Sequence, residues 1–374
     1  MVTISINLSN NCNMSCKYCF RKDEYENYSN LTFEEMKSFI IDVSNEFPNK
    51  RYFEIDLTGA GEPLLRSNEV IELIIFTESI STLERTFKVT FCTNGTLLSR
   101  QLINFFKEHD IYFGISIDGD RKVHEKLRGK NSINSYKLIK KNIRKINSKY
   151  IGASLTITNK NLNILKSFQS ICNKFDSVSM KPVRSDSNDL KISQKSIKQL
   201  LKYYDQFFEN ILNQIKIGNS WVLLSIIRGE DIFGKFIRRI FLNQSVIARC
   251  NGGISKFFLD VDRNIYVCGA ANISSTYKIG SLNKGLDFDR IHSSLNNQTN
   301  RIFCSKCWAK YICGGICMLI KDKYVLNDIV DNDTLCILNK HLINLSISLR
   351  LILEERYPSV FKNFVKVCLD NYYR

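Results

Sequence analysis

Short apolar runs alternate with longer amphipathic segments along the first half of the chain. Six of these runs have the pattern of strands, namely "VTISINL", "RYFEIDLT", "FKVTFCT", "IYFGISID", "IGASLTIT" and "VSMKPV". Helical periodicity separates them, as in "LTFEEMKSFIIDVSNEF", where Thr32 and Glu35 have the spacing of a capping box. The repeat predicts an α/β fold in which a parallel sheet with right-handed crossovers forms a partial (β/α)6 TIM-type barrel.

The second half of the chain has a different pattern of apolar and polar residues. A long helical pattern covers residues 193–217, and from Cys250 onward short strand and turn signals are dense in cysteine. A helical tail, "LCILNKHLINLSISLRLILEERY", follows. We therefore expect a barrel domain at residues 1–235 and a smaller α+β domain with a helical tail at residues 236–374.

Composition places the chain among globular proteins with a large core, since 44% of its 374 residues are apolar. No segment approaches the run of about 18 apolar residues that a membrane helix needs, and the amino terminus lacks a signal-peptide pattern. We expect a cytoplasmic protein without membrane contact. Its 13 cysteines then predict metal or cluster binding, because a reducing compartment does not maintain a disulfide framework.

The formal charge of +16 permits a polyanionic partner such as nucleic acid, an acidic peptide or a phosphorylated ligand. The charge is spread along the chain, however, and lysines such as those in "KLIKKNIRKINSK" have the spacing of a solvated helix face. We therefore do not expect nucleic acid to be the partner.

Three cysteines, Cys12, Cys16 and Cys19, stand in "SNNCNMSCKYCF" directly after the first predicted strand. Loops that follow the strands of a barrel form its catalytic face. Three thiolates can hold three irons of a cubane cluster and leave the fourth iron for a substrate or cofactor. The alternatives are a zinc ion with a distant fourth ligand, or coincidence.

The spacing C-x3-C-x-aromatic-C, with Tyr18 at the aromatic position, resembles the signature of the radical S-adenosylmethionine (SAM) superfamily. The resemblance implies a [4Fe-4S] cluster whose open iron is chelated by the amino and carboxylate groups of SAM. It also implies reductive cleavage of SAM to a 5′-deoxyadenosyl radical that abstracts a hydrogen atom from the substrate.

Further segments resemble the family in the same order. "TGAGEPLL" is similar to the segment that contacts the SAM amino group, although Ala60 replaces one glycine; "TNGTLL", "SIDG" and "VHEKLRG" follow. A Ser and an Arg at the positions of Ser116 and Arg128 are implied to hold the SAM carboxylate. The SAM-contacting residues that the resemblance implies are Tyr18, Gly59, Gly61, Glu62, Asn94, Ser116, Asp118 and Arg128. Taken alone, "TNG" is an ordinary turn, "SIDG" a strand end and His124 a helix-surface residue.

A second group of cysteines lies near the carboxyl end, in "CSKCWAKYICGGIC", with others upstream and downstream. The pattern resembles the SPASM extension of radical SAM enzymes that modify peptides, and "FLDVDRNIYVC" fits its hairpin with Asn264 in place of the usual Gly. A zinc ribbon that binds RNA or DNA is the alternative. The seven cysteines concerned are Cys250, Cys268, Cys304, Cys307, Cys313, Cys317 and Cys336.

The SPASM resemblance implies two auxiliary [4Fe-4S] clusters and so three clusters in all. Cys250, Cys268 and Cys317 would bind the first; Cys304, Cys307, Cys313 and Cys336 would bind the second. The first then lacks a fourth thiolate, which Asp260, Asp262, water or a substrate cysteine would replace. Of the remaining cysteines, Cys172 and Cys368 are expected to pack in the core, whereas Cys92 is a core residue or a candidate hydrogen-atom donor.

The reaction that we expect is maturation of a ribosomally made peptide by a thioether or carbon–carbon crosslink. The expected partners are a precursor peptide or protein, an electron donor such as flavodoxin or ferredoxin, and a separate leader-binding protein where the chain does not bind the leader itself. The alternatives are a protein oxidase similar to sulfatase maturases, which make formylglycine from Cys or Ser, and an RNA-modifying enzyme. Sulfatase maturases typically carry an Asp base after the cysteine that matches Cys268, where this chain has Gly269.

Overall fold

The computed structural model describes residues 1–19, 29–59, 61–129, 134–185, 187–271, 274–299, 304, 306–315, 317 and 331–373. The strands are β1 (Val2–Ile6), β2 (Tyr52–Asp56), β3 (Thr86–Thr90), β4 (Cys92–Thr93), β5 (Phe113–Ser116), β6 (Ile151–Ile157), β7 (Ser177–Pro182), β8 (Lys256–Leu259), β9 (Asn264–Tyr266), β10 (Lys278–Ser281) and β11 (Gly285–Leu286).

The helices are α1 (Phe33–Asn45), α2 (Ser67–Ser79), α3 (Arg100–Glu108), α4 (Arg121–Arg128), α5 (Ser135–Asn142), α6 (Ile164–Ile171), α7 (Gln194–Lys216), α8 (Trp221–Arg228), α9 (Ile232–Phe241), α10 (Phe288–Thr299), α11 (Lys310–Cys313), α12 (Asp331–Arg356) and α13 (Pro358–Tyr373). Each predicted strand of the first half is present, and the third is divided into β3 and β4 at Phe91. The α/β class is confirmed.

The chain divides into two compact units, of which the first contains residues 1–115, 130–146 and 251–300. Its seven-stranded sheet has the order β11-β10-β9-β8-β1-β2-β3. The strands β8, β1, β2 and β3 are parallel, whereas β8 to β11 are antiparallel neighbours. In the same unit, β4 pairs in parallel with the amino-terminal part of β5.

In the first unit, apolar and polar residues alternate along the strands. Val2, Ile4 and Ile6 are fully buried on one face of β1, and helix α1 packs against this strand. Helix α1 begins at the predicted capping box, in which Thr32 Oγ1 accepts a hydrogen bond from Glu35 N and Glu35 accepts one from Thr32 N. Polar residues on the opposite face of β1, such as Thr3 and Ser5, hydrogen-bond to acidic residues of β2.

The second unit contains residues 116–129, 147–250 and 301–374. Its strands β6 and β7 are parallel and pair from Gly152 with Ser177 to Ile157 with Pro182. Helices α7, α8, α9, α12 and α13 form a helical layer with one another. The boundary near residue 235 that the sequence suggests stays a prediction.

Helix α12 contains one segment, Thr334–Arg356, that is long and apolar enough to cross a membrane, with a mean hydropathy of 1.3. Leu338, Leu342, Leu349 and Leu353 of this segment are fully buried. A core helix of a globular protein passes the same length and composition test, so the segment is weak evidence of a membrane span. This segment was not expected from the sequence, because polar residues are interspersed with its apolar ones.

Two further differences from the sequence expectations concern helices. His124 was expected on a helix surface, but it is fully buried on α4, and that expectation is wrong. The predicted helical tail ends at Arg356, and Pro358 begins a second helix, because proline at a first helical position suits a new helix but not a continuing one.

Candidate functional site

The loop after β1 in the first unit holds Cys12, Cys16 and Cys19. Cys12 Sγ accepts a hydrogen bond from Met14 N at 3.4 Å, and Cys19 N donates to Cys16 O at 3.1 Å. Burial raises the pKa of the Cys12 thiol, and the nearby charges of Glu62 and Cys19 raise it further. Two of the predicted cluster ligands, Cys12 and Cys19, are therefore close enough to interact electrostatically.

Gly61 holds the glycine-rich segment against this cysteine loop. Its φ is +61°, and a Cβ atom at this position would lie 2.2 Å from Ser9 O and 2.4 Å from Asn11 O. The next residue, Glu62, donates its N–H to Asn11 O at 2.8 Å. Glycine is required here because both the left-handed backbone and the close approach exclude a side chain.

Glu62 ties the glycine-rich segment to the end of the third predicted strand. Its Oε1 accepts hydrogen bonds from Leu64 N and Thr93 Oγ1, and its Oε2 accepts one from Asn94 N at 2.8 Å. The residue is only 2% exposed, and burial raises the pKa of its carboxyl group. The carboxylate thus fixes the "TNG" turn relative to the cysteine loop.

Asn94 extends this network back to the cysteine loop. Its Nδ2 donates to Asn13 Oδ1 at 2.7 Å, and its Oδ1 accepts from Thr96 N at 2.9 Å. Asn13 in turn donates to Thr96 Oγ1 at 2.8 Å. The structure therefore brings Cys12, Glu62 and Asn94 together, as the sequence predicted for a common site.

Phe258, which the sequence analysis did not single out, lies against two glycines of this unit. A Cβ atom at Gly59 would lie 2.6 Å from Phe258 Cε2, and one at Gly269 would lie 2.9 Å from the same atom. The ring is fully buried. Tyr18, at the aromatic position of the cysteine motif, is half-buried on the loop.

In the second unit, Arg128 forms a bidentate ion pair with Asp118. Arg128 Nε and Nη2 donate to the two carboxylate oxygens at 2.8 and 3.1 Å, and Thr156 N donates to Asp118 Oδ1 at 2.9 Å. Both residues are buried. Ser116, the third SAM contact predicted in this region, is the last residue of β5.

His124 lies beside this pair. Its Nδ1 accepts a hydrogen bond from Asp118 N at 3.4 Å. Burial lowers the pKa of His124 to about 4, and the neighbouring charge of Arg128 lowers it too. The imidazole is therefore neutral at physiological pH.

Four cysteines of the second unit line one cavity, which we name the cysteine cavity. The space between its lining atoms, part of which is open to solvent, is about 330 Å³. The cysteines that line it are Cys304, Cys307, Cys313 and Cys336, the predicted ligands of the second auxiliary cluster. Burial and the proximity of the other three thiols raise the pKa of Cys336 to about 11. Among the described residues, no three His, Cys, Asp or Glu side chains converge as ligands of a single metal ion.

Asn339 and Lys340 also line the cysteine cavity. Asn339 Nδ2 donates to Cys313 Sγ at 3.5 Å. Neither residue was predicted from the sequence, although they follow Cys336 by three and four positions, the spacing that places side chains on one helix face.

The remaining predicted cysteine ligands are placed separately in the two units. In the first, Cys268 follows β9 and its carbonyl accepts a hydrogen bond from Ala271 N at 3.0 Å. In the second, Cys250 is exposed and Cys317 is half-buried. Cys92, the candidate hydrogen-atom donor, is half-buried on β4 opposite Gly114.

The two carboxylates considered as a fourth ligand hold turns of the first unit. Asp260 Oδ1 accepts hydrogen bonds from Asn7 Nδ2 and Val261 N. Asp262 accepts them from Asn264 and from the Tyr266 hydroxyl, the latter at 2.8 Å. These hydrogen bonds stabilise the hairpin in which Asn264 replaces the usual Gly.

Comparisons with known proteins agree with this geometry. The model of the radical SAM superfamily matches residues 6–162. The chain is 27% identical over 351 residues to the cysteine-type anaerobic sulfatase-maturating enzyme of Clostridium novyi (strain NT), covering 87% of this chain and 89% of the relative.

Solved structures share the fold. Native anSMEcpe with bound AdoMet matches with a TM-score of 0.72 at 20% identity, covering 97% of this chain and 99% of that one. Streptococcus suis SuiB bound to precursor peptide SuiA matches with a TM-score of 0.60 at 17% identity, covering 86% and 73% of the two chains. The cysteine motif, the network around Glu62 and these matches lead to one conclusion: the chain is an enzyme with a radical SAM domain over residues 6–162, followed by a cysteine-rich region, and it shares the fold of anSMEcpe.

Proposed function

We propose that this enzyme abstracts a hydrogen atom from a ribosomally made peptide and forms a thioether or carbon–carbon crosslink in it. The fold is the observation that supports a peptide substrate. Over most of the chain it is shared with SuiB bound to its precursor peptide and with anSMEcpe bound to the Cp18Cys peptide. The radical SAM domain supplies the hydrogen abstraction, and the cysteine-rich region supplies auxiliary redox groups.

Cys12, Cys16 and Cys19 are the proposed ligands of the SAM-binding [4Fe-4S] cluster. Three thiols on one short loop fit a cubane that keeps one iron for a cofactor. When bound, the cluster and SAM supply a 5′-deoxyadenosyl radical that takes a hydrogen atom from the substrate. The chain's own contribution is to hold this loop, which it does through the hydrogen bonds of Glu62 and Asn94.

The proposed SAM site contains Tyr18, Gly59, Gly61, Glu62, Asn94, Ser116, Asp118 and Arg128. The roles of these residues differ in kind. Gly61 and Glu62 order the backbone beside the cysteines, because their contacts are with Ser9, Asn11 and Asn94. Asp118 orients the guanidinium of Arg128, which is proposed to bind the SAM carboxylate.

The cysteine cavity is the proposed site of the second auxiliary [4Fe-4S] cluster. Four thiols around one cavity are the donor set that such a cluster requires. Cys250, Cys268 and Cys317 are proposed to bind the first auxiliary cluster and to leave one iron for a thiol of the substrate. A flavodoxin or ferredoxin is the proposed electron donor, and a separate leader-binding protein is proposed as a second partner.

Crosslink formation balances in atoms and electrons if an auxiliary cluster accepts one electron. The substrate carbon would lose a hydrogen atom, and the substrate thiol or second carbon would lose a proton as the new bond forms. The electron that remains would pass to a cluster held by the carboxyl-terminal cysteines. The peptide therefore loses a pair of hydrogen atoms and keeps its sulfur.

Formylglycine formation is the second candidate, favoured by the alignment with the Clostridium novyi enzyme over 87% of this chain. Against it stands Gly269, where the resemblance leads us to expect an acidic base. Because the ring of Phe258 fills the space beside Gly269, a carboxylate side chain has no room at this position.

The test is anaerobic reconstitution with iron and sulfide, followed by incubation with SAM, a reductant and candidate peptides. Deuterium transfer from labelled peptide into 5′-deoxyadenosine reports hydrogen abstraction. A product that lacks a pair of hydrogen atoms, keeps its sulfur and does not react with a hydrazide supports a crosslink, whereas a product with a hydrazide-reactive aldehyde supports formylglycine from Cys or Ser. An iron-free protein, or one with intact activity after Cys12, Cys16 and Cys19 are replaced by Ala, would overturn the proposal.

A further inference from the structure

Cations surround the peptide that carries Cys313 in the second unit. Lys310 and Lys340 line the cysteine cavity itself. Behind residues 312–315 lie three more cations, Lys235, Arg239 and Arg249, which we name the basic set.

The basic set is held in place by hydrogen bonds to main-chain carbonyls. Arg239 Nη1 donates to Ile312 O at 2.6 Å and to Cys313 O at 3.1 Å. Arg249 Nη1 donates to Gly315 O at 3.3 Å. Lys235 Nζ donates to Arg249 O at 2.8 Å, so one connected network joins helix α9 to the cysteine-bearing peptide.

These cations are crowded and poorly solvated. Arg239 is 8% exposed. Burial, and next the charge of Arg249, lower the pKa of Arg239 to about 10; burial, and next the charge of Arg239, lower the pKa of Lys235 to about 8. Such an arrangement costs folding free energy unless negative charge lies close by.

The sulfur ligands of a cluster in the cysteine cavity would be a nearby source of that negative charge. Cys313 stabilises the charge of Arg239, and Cys250 stabilises that of Lys235. The carboxylate that contributes as well, Glu230, has a side chain that is 79% exposed and therefore largely screened by water.

Asn339 adds a hydrogen bond directed at sulfur. Its Nδ2 lies 3.5 Å from Cys313 Sγ, and the residue is only 1% exposed. Hydrogen bonds to ligand sulfur and fixed nearby charge are two of the factors that set the potential of an iron–sulfur cluster.

We propose that Arg239, supported by Lys235 and Arg249, raises the reduction potential of the cluster held in the cysteine cavity and so makes that cluster an electron acceptor. The inference rests on the proposed function, in which the cavity holds an auxiliary cluster. A cubane with four thiolates carries a net charge of about −2 when oxidised and about −3 when reduced. A fixed cation stabilises the reduced form more, because its charge is larger.

The test is a redox titration monitored by electron paramagnetic resonance, on reconstituted full-length enzyme in which Cys12, Cys16 and Cys19 are replaced by Ala. The signal followed is the one that Cys336→Ala removes. Arg239→Gln removes the charge and keeps an uncharged polar side chain. We expect its equilibrium constant for reduction to fall by at least about threefold, which is about 28 mV at 59 mV per tenfold for one electron.

Two further variants separate charge from structure. Arg239→Lys restores the charge and is expected to restore most of the potential. Arg350→Gln is the matched control, because Arg350 also donates to a carbonyl at the end of α9 but lies 14 residues beyond Cys336 on α12, or about 21 Å along the helix. Its potential should equal that of the parent.

The outcomes distinguish the two proposals. If the parent enzyme lacks the iron and the paramagnetic signal that are assigned to the cavity, both the proposed auxiliary cluster and the proposed role of Arg239 are wrong. A normal cluster whose potential is unchanged in Arg239→Gln overturns only the role of Arg239. If Arg239→Gln does not fold, Lys235→Met and Asn339→Leu take its place, and an unchanged potential in both counts against the proposal.

Discussion

The ring of Phe258 occupies the space into which a side chain at Gly269 would project. A Cβ atom at position 269 would lie 2.9 Å from Cε2 of the ring, closer than two carbons pack in folded proteins. The ring also lies against Gly59 and is fully buried, so it cannot move aside without repacking the core. Packing therefore excludes an acidic residue at the position that follows Cys268.

Gly269→Ala tests this packing. We expect the variant to lose about 1–3 kcal/mol of unfolding free energy, because a methyl group is forced against a buried ring. Urea denaturation measures the loss. Phe258→Leu alone is expected to cost about 1–2 kcal/mol by leaving a small cavity.

The double variant Gly269→Ala/Phe258→Leu decides whether the two positions are coupled. If the ring causes the strain, Gly269→Ala costs much less in the Phe258→Leu background than in the parent. Equal costs in both backgrounds would mean that another contact limits position 269, and the packing argument against an acidic base would fail.

Glu62→Gln tests the network that holds the cysteine loop. The amide keeps one oxygen for Thr93 and Leu64 but presents N–H groups to Asn94 N, which is itself a donor. Leaving a buried donor unsatisfied costs about 1–3 kcal/mol. We expect a lower urea midpoint and weaker SAM binding, measured by equilibrium dialysis of the reconstituted enzyme.

Glu34→Gln is the control for this substitution. Glu34 pairs with Lys37 three positions later, and its side chain is 77% exposed. Loss of such a pair changes stability by about 0–1 kcal/mol. If both variants behave alike, the buried contacts of Glu62 do not hold the loop.

Periodicity predicted much of this fold because each strand has its own pattern. The two-residue alternation in "RYFEIDLT", for example, corresponds to buried Phe53 and Ile55 on β2. Motif order likewise predicted that Cys12, Glu62 and Asn94 would share a site, since loops after parallel strands meet at one sheet edge.

Contacts that depend on register or side-chain packing left no such signal. Phe258 reaches Gly59 because β8 lies beside β1 in the sheet, a pairing between distant segments of the chain. The burial of His124 was missed because α4 is short and strongly polar in composition, so its buried face carries few apolar residues.

Asp118→Asn tests the buried pair with Arg128. Removing the negative partner leaves the guanidinium charged in a site where its side chain is 9% exposed. Such a loss costs about 3–5 kcal/mol. We expect a lower urea midpoint and weaker SAM binding, because Arg128 is no longer held by two hydrogen bonds.

The double variant Asp118→Asn/Arg128→Met removes the stranded charge and is expected to recover part of the stability without recovering SAM binding. If the double variant recovers neither stability nor SAM binding, Asp118 acts mainly through its hydrogen bond from Thr156 N. Recovery of SAM binding would contradict a role for Arg128 in the site.

Asp231 is expected to make the unfolding free energy of the protein depend on pH. It caps α9 by accepting hydrogen bonds from Phe233 N and Gly234 N, and it also accepts one from Met180 N. Burial raises its pKa from 3.8 to about 6 even though these bonds lower it. Between these values the folded chain binds a proton that the unfolded chain has released. The stability that Asp231 contributes is therefore fully present below pH 3.8 and is lost as the pH rises through about 6.

The difference in unfolding free energy between the parent and Asp231→Asn isolates this contribution. We expect the difference to fall by about 3 kcal/mol between pH 4 and pH 7, from a shift of about two pKa units at 1.36 kcal/mol each. Urea denaturation at several pH values measures it. Asp42→Asn is the control, since Asp42 is exposed on α1 and is solvated in the folded and unfolded chains alike. A difference that stays constant or grows with pH would mean that Asp231 is ionised throughout, with its charge satisfied by the three backbone donors.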